Sequence, residues 1–140
     1  MPTESVTLNI RNQPANGNGW KNTIASNGDA YSYKYQGGHN NDGGMHVKVN
    51  EGAASLQLSV SCDDRYELAP TNPVTFRNDT GSQLTWAQAN GLSGTINDLN
   101  TVAETAEYIV TVLDAQNGNC TIPCDPMISN EPKGPVIMHS

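Results

Sequence analysis

Residues 37–46 read Gly-Gly-His-Asn-Asn-Asp-Gly-Gly-Met-His, the segment whose side chains invite chemistry most directly. Asn40, Asn41 and Asp42 offer the hard oxygens that a calcium ion takes. His39 and His46 offer imidazole nitrogens suited to copper, nickel or zinc. The EF-hand spacing is absent, so the oxygens carry no calcium signature. Four glycines in ten residues also suit an exposed hairpin loop, polar because it meets water. Such a loop can bring His39, Asn40, Asn41 and Asp42 onto a small polar ligand as readily as onto an ion.

Tyr31, Tyr33 and Tyr35 form an aromatic stripe with Ser32 and Lys34 between them. Exposed, they would stack on sugar rings while amides from the Asn-rich loops bind hydroxyls. Buried, they would be core residues whose hydroxyls reach a polar edge. The period expects at least two of the three in the core, with Tyr33 kept as a ligand-binding candidate. Trp20 ends the loop Asn16-Gly-Asn-Gly-Trp20 and is the stronger candidate for an exposed aromatic.

Enzyme signatures are missing. There is no Gly-x-Ser-x-Gly elbow, no P-loop and no His-Glu-x-x-His. Asp63 and Asp64 adjoin, so in a strand they would face opposite sides and could not share a proton. A non-enzymatic binding or assembly role is expected. Three cysteines are present, Cys62, Cys120 and Cys124. In an oxidising compartment Cys62 would pair with Cys120 or Cys124, closing a loop of about 60 residues for roughly 4 kcal/mol. In a reducing one all three would be thiols.

The elements that must position these residues are strands. Val6, Leu8 and Ile10 alternate with polar residues, as do Met45, Val47 and Val49, and Leu56, Leu58, Val60 and Cys62. Val74 and Phe76 follow Pro73, and Leu84 and Trp86 follow the turn Asn78-Asp79-Thr80-Gly81. Tyr108 to Leu113 is apolar on both faces, which predicts a central, covered strand. Asn-Gly and Gly-Gly pairs punctuate these runs. The expected fold is all-β, an antiparallel Greek-key sandwich of about eight strands with little or no helix. About twenty inward apolar side chains at roughly 1.5–3 kcal/mol each suffice to offset ordering entropy. No cofactor is therefore needed for folding.

Glu107-Tyr-Ile-Val-Thr-Val-Leu-Asp114, a Gly turn, and then Cys120-Thr-Ile-Pro-Cys124-Asp-Pro-Met127 resemble the end of a cupredoxin-like or immunoglobulin-like Greek-key sandwich. The resemblance covers about 25 residues and implies the fold. It also implies a metal-binding alternative, with His39 or His46 as upstream ligand and Cys124 and Met127 in the last loop. A type 1 copper site wants a His between the Cys and the Met. Asp125 and Pro126 stand there instead, which argues against the cofactor.

Net charge is −7 over 140 residues, the wrong sign for nucleic acid or anionic membranes. No apolar run nears the roughly 20 residues that cross a bilayer. Met1-Pro-Thr-Glu4 has neither a basic nor an apolar signal region, so a soluble chain without membrane insertion is expected. Residues 1–124 are expected to form the sandwich, and 125–140 a Pro-rich edge segment or arm. The leading expectation is a module binding a small polar ligand, most plausibly carbohydrate. The alternative is a self-assembling subunit whose arm joins copies into a homo-oligomer.

Overall fold

A computed structural model describes residues 3–15, 17, 20–38, 43–49, 51–60, 65–102, 104–124 and 136–139. For His46, Thr105, Val136, Met138 and His139 the description is of the backbone. The described residues form twelve strands and no helix. They are β1 (Thr3–Arg11), β2 (Lys21–Ile24), β3 (Ala30–Gly37), β4 (Met45–Val47), β5 (Ala54–Val60), β6 (Tyr66–Leu68), β7 (Val74–Arg77), β8 (Leu84–Gln88), β9 (Ser93–Asp98), β10 (Glu104–Asp114), β11 (Cys120–Cys124) and β12 (Val136–His139). No helix among them is long and apolar enough to cross a membrane.

The first sheet runs β2-β3-β1-β5-β9-β8. The second is built on β10, which pairs with β6 and β7 along one side and with β11 and β12 along the other; β12 in turn pairs with β4. The chain crosses repeatedly between the sheets, as Greek-key connections do. The all-β expectation holds, with more strands than the eight anticipated and with two parallel contacts, β1 to β5 and β12 to β4.

Period two explains the core. Val6, Leu8 and Ile10 of β1, Leu56, Leu58 and Val60 of β5, and Tyr31, Tyr33 and Tyr35 of β3 are all buried between the sheets. Tyr108, Val110 and Val112 of β10 meet them from the second sheet and are fully buried. The rings of Tyr33 and Tyr35, and of Tyr35 and Tyr108, pack edge to face at 5.9 and 5.7 Å. Gly94 on β9 shows how tightly one side is filled. A Cβ there would lie 2.4 Å from the Trp86 ring, so only glycine lets the indole cross that strand.

The tyrosine hydroxyls stitch the layers. Tyr35 Oη donates to the Cys124 carbonyl and Tyr108 Oη to the Gly43 carbonyl, both at 2.6 Å. Tyr31 Oη donates to Asp114 Oδ2, also at 2.6 Å. Asp114 is fully buried and takes a two-pronged contact from Arg65, Nε to Oδ1 at 3.0 Å and Nη2 to Oδ2 at 2.6 Å. The Gln116 amide adds a further donor at 3.0 Å. On one flank Thr23 Oγ1 of β2 donates to the Pro123 carbonyl of β11, tying the two sheets there.

Two expectations change here. Strands β2 and β9 carry little apolar alternation and β6 is only three residues long, and they form because neighbours pair with them. The expected C-terminal arm is, over β12, an interior strand flanked by β10 and β4, with Ile137 fully buried. Residues 125–135 lie outside the described residues. Cys120 and Cys124 are buried, and Cys62, their expected bridging partner in an oxidising compartment, lies outside the described residues.

Burial acts to raise the Asp114 carboxyl, but the Arg65 and Tyr31 hydrogen bonds outweigh it and hold the group below the ordinary carboxylate range. Burial, with Asp114 second, pushes the Tyr31 phenol upward, and burial does the same to Tyr35. A carboxyl with a depressed folded value stabilises the fold above about pH 4 and loses that contribution as pH falls. Phenols with raised values stabilise it below about pH 10 and lose theirs as pH rises. Thermal melts from pH 2 to 12 should therefore show both limbs. Asp114→Asn should flatten the acid limb and cost about 3–5 kcal/mol at neutral pH, a fall of roughly 10 °C or more. Ile137→Ala should cost about 2–5 kcal/mol, whereas a dispensable arm would show no loss.

Candidate functional site

The outward side chains of the first sheet make a face of unusual composition. Along β1 they are Thr3, Ser5, Thr7, Asn9 and Arg11, alternating with the buried Val6, Leu8 and Ile10. Register sets them in rows with the outward residues of the neighbouring strands. Thr3 stands beside Ser55, which stands beside Asn97 and then Thr85. Ser5 is followed in the same way by Gln57, Thr95 and Ala87. Gln36, Thr7, Ser59 and Ser93 form a third row. Neighbours within a row sit about 4.8 Å apart. Hydroxyls and amides therefore form a grid held from beneath by the core.

At the β3 side the grid gives way to an aromatic and two cations. Asn9 pairs with Lys34 and Arg11 with Ser32 across β1 and β3. Trp20 immediately precedes β2, where a turn bond runs from its amide to the Gly17 carbonyl at 3.0 Å. The Ala15 amide donates to Asn22 Oδ1 at 2.9 Å and pins the same loop to β2. The half-buried indole lies under Arg11, whose Cζ is 4.0 Å from the ring centroid. Asn9 Nδ2 donates to Gln36 Oε1. Asn9, Ile10, Arg11, Trp20, Lys34 and Gln36 line a surface depression of about 470 Å³. A second depression of about 360 Å³ lies farther along the same face, lined in part by Ser5, Thr7, Gln57, Ser59, Ser93 and Thr95.

The sequence candidates fare differently. Trp20 is half-buried and lines the depression on this platform. Tyr33 does not: it is fully buried with its ring against Tyr35, so it cannot stack on a ligand. Its position in the stripe, inward like Tyr31 and Tyr35, is the reason. His39, Asn40, Asn41 and Asp42 lie outside the described residues. The base of their loop is described and tightly pinched. The Gly43 amide donates to the Gly37 carbonyl at 2.9 Å and the Gly38 amide to the Ser5 carbonyl at 3.1 Å. Gly38 has φ of +75°, and a Cβ there would meet the Gly44 carbonyl oxygen at 2.5 Å. The loop leaves β3 after Gly37, next to the platform residue Gln36.

The metal candidates do not assemble among the described residues. No group of three or more His, Cys, Asp or Glu side chains there could hold an ion. Cys124 is fully buried, and its Sγ lies 3.7 Å from the Ile122 carbonyl as donor. Met127 lies outside the described residues. His46 is placed by its backbone, beside Met138 in the parallel β4–β12 pair.

No protein-family model matches this chain, and no curated protein matches it in sequence.

Asn9, Arg11, Lys34 and Gln36 were not singled out by sequence, which put the site on loops. Their one signal is that they are the polar members of two period-two strands. Because they point away from the core, their loss should cost little stability. Lys34→Ala and Trp20→Ala should each shift unfolding by no more than about 1 kcal/mol in urea titrations, whereas Tyr33→Ala should cost about 3–5 kcal/mol.

Proposed function

We propose that this chain is a non-enzymatic carbohydrate-binding module that works through the outward face of its first sheet, centred on Trp20. The observation that carries this reading is the convergence of one indole, two amides and two cations in a single depression, continuous with rows of hydroxyls. A sugar offers an apolar ring face and a rim of hydroxyls. Trp20 supplies apolar area at small conformational cost, and Asn9 and Gln36 supply both donors and acceptors. Ser, Thr and Gln along the rows extend the same hydrogen-bonding vocabulary beyond one ring.

The platform rests on strands whose inward residues are packed, so its polar groups are held in place before a ligand arrives. Pre-ordering reduces the entropy lost on binding. The 37–44 loop, rooted beside Gln36, adds His39, Asn40, Asn41 and Asp42 to this reading as further contacts.

A glycan array probed with the full chain should show saccharide binding that Trp20→Ala weakens at least about tenfold, or about 1.4 kcal/mol. Binding indifferent to that substitution, or no saccharide bound, overturns the proposal. Light scattering on Thr95→Lys tests the assembly alternative. An oligomer that falls to monomers in this variant would make the face an interface between copies.

A further inference from the structure

We propose that the ligand of this face is an acidic carbohydrate, a chain bearing carboxylated sugars of the uronic acid class. The inference rests on the carbohydrate reading above and names its substrate class. It starts from a contrast in charge. The chain carries −7 overall, with 14 acidic residues against 7 Lys and Arg. The outward strand positions of the first sheet reverse that balance. They hold Arg11 and Lys34 and no Asp or Glu. Both cations line the depression that contains Trp20.

Arg11 is arranged to receive a carboxylate. Its Cζ lies 4.0 Å from the indole centroid, and a cation held over a ring face still has N–H groups with which to donate. It is exposed and makes no ion pair with the described residues. Arg65 gives the contrast, since its fork is already committed to Asp114. A planar fork held against an aromatic ring suits two parallel hydrogen bonds to one carboxylate. Lys34, on the adjacent strand and beside Asn9, adds a point charge to the same depression. Asn9 stands beside Lys34 and Gln36 heads the neighbouring third hydroxyl row, where the ring hydroxyls of a uronic acid would fall.

The net charge narrows the class further. A densely charged chain, such as a phosphodiester or a heavily sulfated polymer, is repelled by the rest of the protein. A carboxylated sugar chain spaces its charges by neutral rings, so a local cation pair can hold one carboxylate while stacking and hydrogen bonds hold the ring.

Isothermal titration of the full chain with trigalacturonate and with its methyl ester tests this. The two probes share rings and hydroxyls and differ in charge. The acid should bind about tenfold more tightly than the ester at low salt, and the gap should narrow as salt rises. Lys34→Gln and Arg11→Gln should weaken the acid more than the ester and bring the ratio below about threefold. Trp20→Ala should weaken both. Equal affinity for acid and ester overturns the acidic assignment and leaves the carbohydrate reading standing. Binding of neither probe, with no other saccharide bound on an array, overturns both. Binding of dextran sulfate as tight as that of trigalacturonate, and unaffected by Trp20→Ala, reduces the face to general charge attraction and overturns the inference.

Discussion

Asp114 carries its charge at the end of the longest strand with no exposure to water, and several distant segments exist in their places because of it. Desolvating a carboxylate costs several kcal/mol, so the fold must bring donors to it. Arg65 comes from the residue just before β6, Gln116 from the turn after β10, and Tyr31 from the opposite sheet. Asn117 then donates to Tyr31 Oη at 2.8 Å and to Asp29 Oδ2 at 2.6 Å, extending the network to the β2–β3 turn. A buried ion pair adds little net stability over an apolar replacement. Its effect here is registry. The Tyr31 hydroxyl meets Asp114 only when β3 lies across β10 in one alignment, and Tyr35 and Tyr108 then find their carbonyls in the same alignment.

That registry fixes which way β3 presents its residues. With Tyr31, Tyr33 and Tyr35 inward, Lys34 and Gln36 must point outward beside Asn9 and Thr7. A slip of one residue would turn the tyrosines to water and bury Lys34. The polar platform is therefore the obverse of the aromatic core, and a tyrosine hydroxyl bound in the second sheet helps to aim an amine on the outside of the first.

The same logic explains what the sequence discloses. Strands β1, β3, β5 and β10 are legible because their apolar residues repeat at the period of a pleated sheet, and two-sided apolarity rightly marks β10 as central. Strand β9, Ser93-Gly-Thr-Ile-Asn-Asp98, shows little alternation because Gly94 leaves room for Trp86 from the adjacent strand. Strand β12 follows a Pro-rich stretch and is only four residues long. What makes it a strand is the gap between β10 and β4, a tertiary fact with no local signature. The Arg65–Asp114 contact spans 49 residues, and nothing near either residue announces the other.

The candidate site was half legible for a related reason. An aromatic at the end of a Gly- and Asn-rich loop is conspicuous, so Trp20 stands out. Asn9, Arg11, Lys34 and Gln36 read in sequence only as the wet side of amphipathic strands, and a period of two says that a residue points outward without saying what it points beside. Register supplies that second coordinate. Pairing of β1 with β3 sets Asn9 against Lys34 and Thr7 against Gln36, and the start of β2 delivers Trp20 over the same strands. Five of the six lining residues thus come from ladder positions held by main-chain hydrogen bonds, among them Ile10, whose side chain is buried in the core beneath the floor. Trp20 alone comes from a loop, which the Arg11 contact and the Ala15–Asn22 hydrogen bond couple to the sheet.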